Sequence, residues 1–461
     1  MTSNYSKMEW TRRDILKTLG GSSLGLGLAG LNKITLEYQP ATLGFTQMAA
    51  GRKMTAITCG AGNRGNVYGN YAANFPDELD IVGVAEPIPL RRQRYSEKHS
   101  IAPENQFVTW EDVFKRPKFA DFIIVTTPDN LHYGPAMAAL EMGYNLLLEK
   151  PIAQTWKECN DILQLQKKKN AIVAVCHVLR YAPYYRKVKE VLDSGVLGQL
   201  ISIQHFEPIE REHMSHSFVR GNWRVAEDTN PIILAKSCHD LDMLRWWIGK
   251  KCTHINSFGS LSWFKSENAP PGSTSRCTDG CAVEASCPYS ALKIYHRGRR
   301  YTYAMDLPTE EDKKGDAILN LLKTGPYGRC VYRCDNNVAD HQVVSMQFDG
   351  GITAGFNMEA FTNYHGRRTR IMGSMGCIVG DEDVLTVANF ATDEVTEWLT
   401  KDHSTGSGHG GGDWGLMRDF LRAVENKDES LLTSTLEASM DSHRMGFAAE
   451  ESRLQLKTIA L

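Results

Sequence analysis

Met54 to Cys59 is an almost wholly apolar run, the pattern of a strand buried on both faces, and it is followed by glycines and then by helix-compatible spacing as far as Phe75. Leu79 to Ala85 repeats the strand pattern. Phe122 to Thr126 and Asn145 to Leu148 repeat it again, with a helical stretch from Gly134 to Met142 between them. Strands alternating with helices predict an α/β fold with a doubly wound parallel sheet. The pattern changes near residues 176 to 182. Pro183 to Asp193 is helical, Gly195 to Gly198 turns, and Ile201 to Phe206 alternates with period two, as a strand with one solvated face does. Helical spacing returns at Trp414 to Glu425 and Leu436 to Arg453.

The first strand runs into Gly60-Ala61-Gly62-Asn63-Arg64-Gly65, a glycine turn placed between strand and helix. In that setting Gly60 makes the tight turn, Gly62 lets the backbone approach a pyrophosphate, and Gly65 lets the helix pack on the strand. Asn63 and Arg64 open the helix whose N–H groups would face the phosphates. Glu86 ends the second strand about 20 residues beyond Gly65, where an acid meets the adenosine ribose. This placement predicts NAD, while Arg91 and Arg92 just downstream keep NADP as the alternative. Residues 53–178 are therefore read as a Rossmann domain. Cofactor and catalytic groups on such sheets collect at the carboxyl ends of strands, which gathers Thr127, Pro128, Asn130, His132 and Glu149-Lys150-Pro151 around one crevice. Lys150 directly ends an apolar strand and is the first catalytic candidate.

Residues 179–461 are assigned the substrate side. Helical spacing through Ile233 to Asp242 puts Ala235, His239 and Asp242 along one face, with Lys236 able to reach the same cleft. His213, His216, Arg220, Asn222, Trp223 and Arg224 form a run of donors and aromatics suited to a polyhydroxylated ring. His409, in Ser407-Gly408-His409-Gly410-Gly411-Gly412-Asp413, is a further candidate.

The glycine turn, Thr127-Pro128 with His132, Glu149-Lys150-Pro151, Arg180-Tyr181-Ala182-Pro183 and His239-Asp240-Leu241-Asp242 together resemble the glucose-fructose oxidoreductase, inositol dehydrogenase and MocA family over nearly all of residues 53 to 455. The resemblance implies a Rossmann domain followed by an α/β domain with a large open, mostly antiparallel sheet, and a cyclitol or sugar at the nicotinamide end. It implies His239 as acid–base partner of the substrate hydroxyl and His409 at the substrate mouth; Arg180, Tyr181, Trp223 and Arg224 are the further substrate candidates, and Lys150 and Lys236 join His239 as catalytic ones. One departure stands out: many dehydrogenases of this family carry an Asp four residues before the histidine, where this chain has Ala235.

Charge adds an exclusion. Lys plus Arg is 52 and Asp plus Glu is 54, a net −2 with no block of one sign, so nucleic acid is not an expected partner. Thr11-Arg12-Arg13-Asp14-Ile15-Leu16-Lys17 before the Gly-rich apolar run Leu19 to Leu31 resembles a twin-arginine export signal. Residues 1–52 are thus read as signal and linker, the location as periplasmic, and stable membrane insertion is not expected. In an exported protein, Cys277, Cys281, Cys287, Cys330 and Cys334, within an irregular insertion from about 265 to 335, are expected to form disulfides, with a structural metal or free thiols as alternatives. No metal is expected at the reacting centre.

These readings describe an exported oxidoreductase that keeps its nicotinamide cofactor, acts on a hydroxyl of a sugar, glycoside or cyclitol, and forms a homo-oligomer. Two alternatives use the same residues: a glycosidase that oxidises transiently and eliminates the leaving group, and a sugar-binding protein with nucleotide as a structural part.

Overall fold

The computed structural model of the protein describes residues 52–403 and 408–461. The arginine pair and apolar run read as an export signal, the linker as far as residue 51, and Ser407 lie outside the described residues.

Six strands, β1 (Met54–Cys59), β2 (Leu79–Ala85), β3 (Gln106–Phe107), β4 (Phe122–Val125), β5 (Asn145–Leu148) and β6 (Val173–Val175), form a sheet in the order β3-β2-β1-β4-β5-β6. Every pairing in it is parallel. Strands β4 and β6 are buried at every position, as expected where helices cover both faces of a sheet. Helices α1 (Asn63–Asn74), α2 (Pro89–His99), α3 (Tyr133–Glu141) and α4 (Trp156–Lys169) make the crossovers, and α4 begins with a capping box between Thr155 and Glu158. The strand order reverses between β1 and β4, and a crevice at such a switch point is where ligands sit.

After α5 (Pro183–Asp193), strand β7 (Leu200–Pro208) and α6 (Cys238–Ile248), a second sheet is completed. It takes β8 (Cys252–Ser260), β9 (His341–Phe348), β10 (Thr353–Glu359), β11 (Arg368–Gly373), β12 (Gly376–Gly380), β13 (Val384–Asn389), β14 (Glu394–Leu399) and, last, β15 (Ile459–Ala460). The order is β14-β13-β12-β11-β7-β10-β9-β8-β15. Only β7 and β10 run parallel; the other pairings are antiparallel. Alternation in β9 buries Gln342, Val344, Met346 and Phe348 and leaves Val343 out, and Phe258 and Val379 are likewise exposed.

The chain then returns to the first sheet. Helix α7 (Gly412–Asn426) packs Leu416, Met417, Phe420 and Leu421 into one core with Met54, Ala56 and Phe122, and the Phe420 ring meets Phe122 edge to face. Helix α8 (Leu436–Gln455) starts with Leu436 and Met440 in the parallel-sheet core and ends with Met445, Ala448 and Ala449 in the other. One helix thus belongs to both cores, which holds the two sheets in fixed relation and the cleft between them in shape.

The insertion is less irregular than its composition suggests. Its helix Glu311–Thr324 sets Ile318 and Leu322, one turn apart, against Ala291, Ile294, Tyr295 and Met305 in a small core of its own. The cysteines are all thiols in this structure, so the expected disulfides are not formed. Among the described residues no helix is long and apolar enough to cross a membrane.

Candidate functional site

The glycine turn divides its labour as the spacing predicts. Gly60 has φ +98°, and a side chain there would collide with the Thr126 carbonyl; one at Gly65 would strike the Gly60 carbonyl. A Cβ at Gly62, by contrast, meets nothing within 4 Å. The backbone is therefore closed beneath the turn and open above Gly62, where a pyrophosphate would approach. The buried Glu86 carboxylate accepts from the Ala61 N–H at 2.8 Å and the Ile88 N–H at 3.0 Å, which places its charge against the turn.

Arg64, expected at the cofactor, is engaged with the protein. Its Nε pairs with Glu149 and its Nη2 with Asp413 at 2.7 Å. The Tyr68 hydroxyl also donates to Glu149, at 2.9 Å. Burial opposes ionisation of Glu149, but Arg64 and Lys150 outweigh it and hold its carboxyl below the usual range. Glu149 also accepts from the Lys150 N–H at 3.0 Å, so the α1 ion pair fixes the backbone that carries Lys150. Through Asp413 the same arginine reaches His409, whose Nδ1 donates to that carboxylate at 3.0 Å.

Lys150 reaches across to the segment that carries His239. The helical spacing predicted through residues 233 to 242 is broken at Lys236-Ser237, between the short helix Ile232–Ala235 and α6. The break leaves the Ala235 carbonyl free, and the Lys150 Nζ donates to it at 2.7 Å. His239 lies in the first turn of α6, almost fully buried, with no hydrogen bond at Nδ1. Its ring centroid is 6.0 Å from that of His409 and 5.9 Å from that of His177. Burial, then the charges of Lys150 and the neighbouring histidines, push its pKa well below the ordinary imidazole value, so it is neutral at pH 7. His177 is also buried, and its Nδ1 lies 3.7 Å from Asp242, a carboxylate behind the histidines in a chain that lacks one at Ala235.

Several expected residues serve the protein instead. Arg180 holds Asp242 with two bonds of 2.7 Å and is almost fully buried; the Tyr181 hydroxyl bonds to Ser434 Oγ and accepts from the Thr433 and Ser434 N–H groups. Neither is offered to a substrate. Removing one partner of such a buried pair strands the other charge, so Arg180→Ala is expected to cost about 3–5 kcal/mol of stability in denaturant unfolding. Arg224 pairs in two-pronged fashion with Asp335 inside the insertion. Arg91 pairs likewise with Asp306, and Arg92 donates to the Glu86 carbonyl. His132 is buried, with its ring nitrogens 2.7 Å from the Pro151 carbonyl and 3.0 Å from the Thr127 carbonyl, and so fastens two loops together. The Thr127 hydroxyl donates to the Leu131 carbonyl, while Pro128 and Asn130 are exposed at the crevice.

Lys236 stays beside the cleft but is ion-paired to Glu207 at 3.2 Å; Glu207 also pairs with Arg367, which holds Asp240. Trp223 crosses between the sheets, its Nε1 donating to Asp129 at 2.9 Å. Beyond it the His216 ring stacks on Tyr301 at 4.7 Å and on Tyr327 at 4.8 Å. Glu207, Arg367, Asp413, His177 and Tyr301 were not singled out by the sequence reading. Of these, Asp413 alone belongs to a motif of the sequence, the glycine-rich run Ser407 to Asp413.

The oxidoreductase family model GFO_IDH_MocA, with an NAD-binding Rossmann fold, matches residues 54–177, and the family's C-terminal alpha/beta domain matches residues 189–461. The oxidoreductase YteT of Bacillus subtilis is 24% identical over 365 residues, 75% of this chain and 83% of that protein. An inositol 2-dehydrogenase/D-chiro-inositol 3-dehydrogenase of Lactiplantibacillus plantarum is 23% identical over 194 residues, 41% of this chain and 51% of that protein. Among solved structures, levoglucosan dehydrogenase in complex with NADH and levoglucosan superposes with a TM-score of 0.65 at 17% identity, covering 88% of this chain and 99% of that one. An inositol dehydrogenase homolog of Azotobacter vinelandii, complexed with NADH and myo-inositol, gives 0.61 at 15% identity, covering 89% and 98%. These structural likenesses are likenesses of fold.

Proposed function

Because the chain belongs to the Gfo/Idh/MocA oxidoreductase family, over both its NAD-binding Rossmann fold and its C-terminal domain, we propose that this NAD-binding oxidoreductase moves hydride between a nicotinamide and a hydroxyl-bearing ring carbon of a sugar, glycoside or cyclitol. The observation that carries this reading is the hydrogen bond by which Lys150, just after β5, holds the Ala235 carbonyl, four residues before the buried His239.

Bound nicotinamide supplies the hydride acceptor or donor. The open backbone at Gly62 suits its pyrophosphate, and Glu86 suits its ribose hydroxyls. Glu86 is unfavourable to a 2′-phosphate, and the nearby Arg91 and Arg92 are both engaged, so NAD is the proposed form. Lys150 keeps ammonium donors beyond the one used on Ala235; a substrate oxygen that accepts one is drawn toward its alkoxide form. His239, neutral and unpaired at Nδ1, takes the hydroxyl proton during oxidation and returns it during reduction. His409 is oriented by Asp413 toward the same space. The exposed Phe258, Val343 and Val379 on the open sheet face support a homo-oligomer, which sedimentation tests.

Export and cofactor retention are part of the proposal and rest on residues 11 to 31. An enzyme that leaves the cytoplasm folded must take its nucleotide with it, and slow dissociation then keeps it. Protein recovered from the periplasm, dialysed and denatured is expected to release about one nicotinamide nucleotide per chain. Empty protein that works only with added NAD would refute retention and leave the hydride chemistry to be judged by itself.

A further inference from the structure

The insertion brings four cysteines to one enclosed space. Cys277, Cys281, Cys287 and Cys330 line a cavity of about 20 Å³, the room of a single water or ion. Cys277 and Cys330 stand on segments that pair backbone to backbone, the Cys277 N–H donating to the Gly328 carbonyl and the Cys330 N–H to the Ser275 carbonyl. A backbone N–H points at one of the sulfurs, that of Ala291 at Cys277, 3.4 Å away. Such a donor stabilises a thiolate and is of little use to a thiol or a disulfide.

The second observation is Arg220, a fully buried arginine on the cavity wall. Its Nε donates to the Arg329 carbonyl and its Nη2 to the Tyr289 carbonyl, both at 2.7 Å, and Nη2 lies 4.0 Å from the Cys277 sulfur. Tyr295 stands beside the guanidinium, and Nη1 makes no hydrogen bond. No carboxylate among the described residues forms a salt bridge with it. A buried guanidinium without an anion is costly.

We propose that Cys277, Cys281, Cys287 and Cys330 form a tetrathiolate site for one zinc-class divalent cation, which fastens the insertion to the wall of the substrate cleft. Four thiolates around a divalent cation make a dianion, the counter-charge that Arg220 lacks. Two disulfides made from the same sulfurs would be neutral and leave Arg220 as it is. Binding releases the four thiol protons to solvent and involves no electron transfer. The cavity suits one ion and not a cluster of irons and sulfides, and tetrahedral sulfur ligation selects zinc. Among the described residues no three His, Cys, Asp or Glu side chains are placed to hold a metal ion as they stand. The cation therefore draws the sulfurs in to bonds of about 2.3 Å, a movement open to the half-buried Cys277, Cys281 and Cys287. Its consequence reaches the substrate side through Arg220, because His216 on the same segment stacks on Tyr301 and Tyr327.

The test uses the full chain purified without chelators. Elemental analysis is expected to find about one zinc per chain, released as a mercurial titrates the cysteines. Cobalt(II) added after zinc removal is expected to give the thiolate charge-transfer and intense visible bands of a tetrahedral sulfur site. Cys281→Ser and Cys330→Ser should each lower metal content. If those variants fail to fold, alkylation of the wild type still decides: Cys277, Cys281, Cys287 and Cys330 should be protected until a chelator is added, with Cys377 of β12 unaffected by it. Recovery of the four sulfurs as disulfides, or protein that retains no zinc and gives no thiolate bands with cobalt, would overturn the proposal.

Discussion

Lys150→Ala and His239→Ala are each expected to slow the hydride step by roughly 10²–10⁴-fold, with NAD affinity close to that of the wild type. Lys150 follows the end of β5 and His239 stands in the first turn of α6, and neither belongs to the glycine turn or to Glu86, so the loss should fall on single-turnover reduction and not on nucleotide titration. The two variants separate by pH. Lys150 helps to keep the His239 pKa low, and removing that charge lets the imidazolium form at higher pH. The acid limb of kcat/KM in Lys150→Ala should therefore move upward. Single-turnover reduction at the wild-type rate in either variant would remove the pair from the chemistry. An unmoved acid limb in Lys150→Ala would remove the electrostatic link alone.

Gly62→Val should abolish NAD binding and leave the fold intact. The space above Gly62 is open in the protein, so the new side chain meets no atom of the chain, yet it fills the path by which a pyrophosphate would approach. Gly60 and Gly65 make the contrast, because substitution there strikes backbone and disturbs the turn itself. Calorimetric titration with NAD and a thermal melt of the same sample check both halves. Undiminished binding by a folded Gly62→Val protein would place the nucleotide elsewhere.

What the chain reveals before folding is mostly local. The apolar run Met54–Cys59, the glycines behind it and the acid at residue 86 are close together in sequence and impose a strand, a turn and a helix by sterics and burial. The Ala235–His239–Asp242 spacing was legible too, but the break at Lys236-Ser237 was not. It follows from the Lys150 ammonium and Glu207 carboxylate, which reach that segment from other parts of the chain. The same blindness explains Arg180 and Arg224, whose charge and flanking aromatics suit a substrate equally well. Only the fold shows that Asp242 and Asp335 take them. Arg64 was placed correctly at the start of α1, yet its partners Glu149 and Asp413 are joined to it only by tertiary structure. The disulfides were inferred from the compartment suggested by residues 11 to 31, while the cavity around the sulfurs depends on pairing between segments remote in sequence.

Hydride transfer to a ring hydroxyl by Lys150 and His239 is tested by mixing NAD-loaded protein with cyclitols, sugars and glycosides while following nicotinamide absorbance and released sugar together. At least one ring polyol is expected to reduce the nicotinamide in the wild type, and Lys150→Ala and His239→Ala to lose that signal while still binding NAD. Sugar release from a glycoside with no net change in nicotinamide would assign the same site to transient oxidation and elimination. A nicotinamide signal that is the same in wild type and variants, or none in a wild type that binds both NAD and the polyols, would rule out ring-polyol oxidation by this pair.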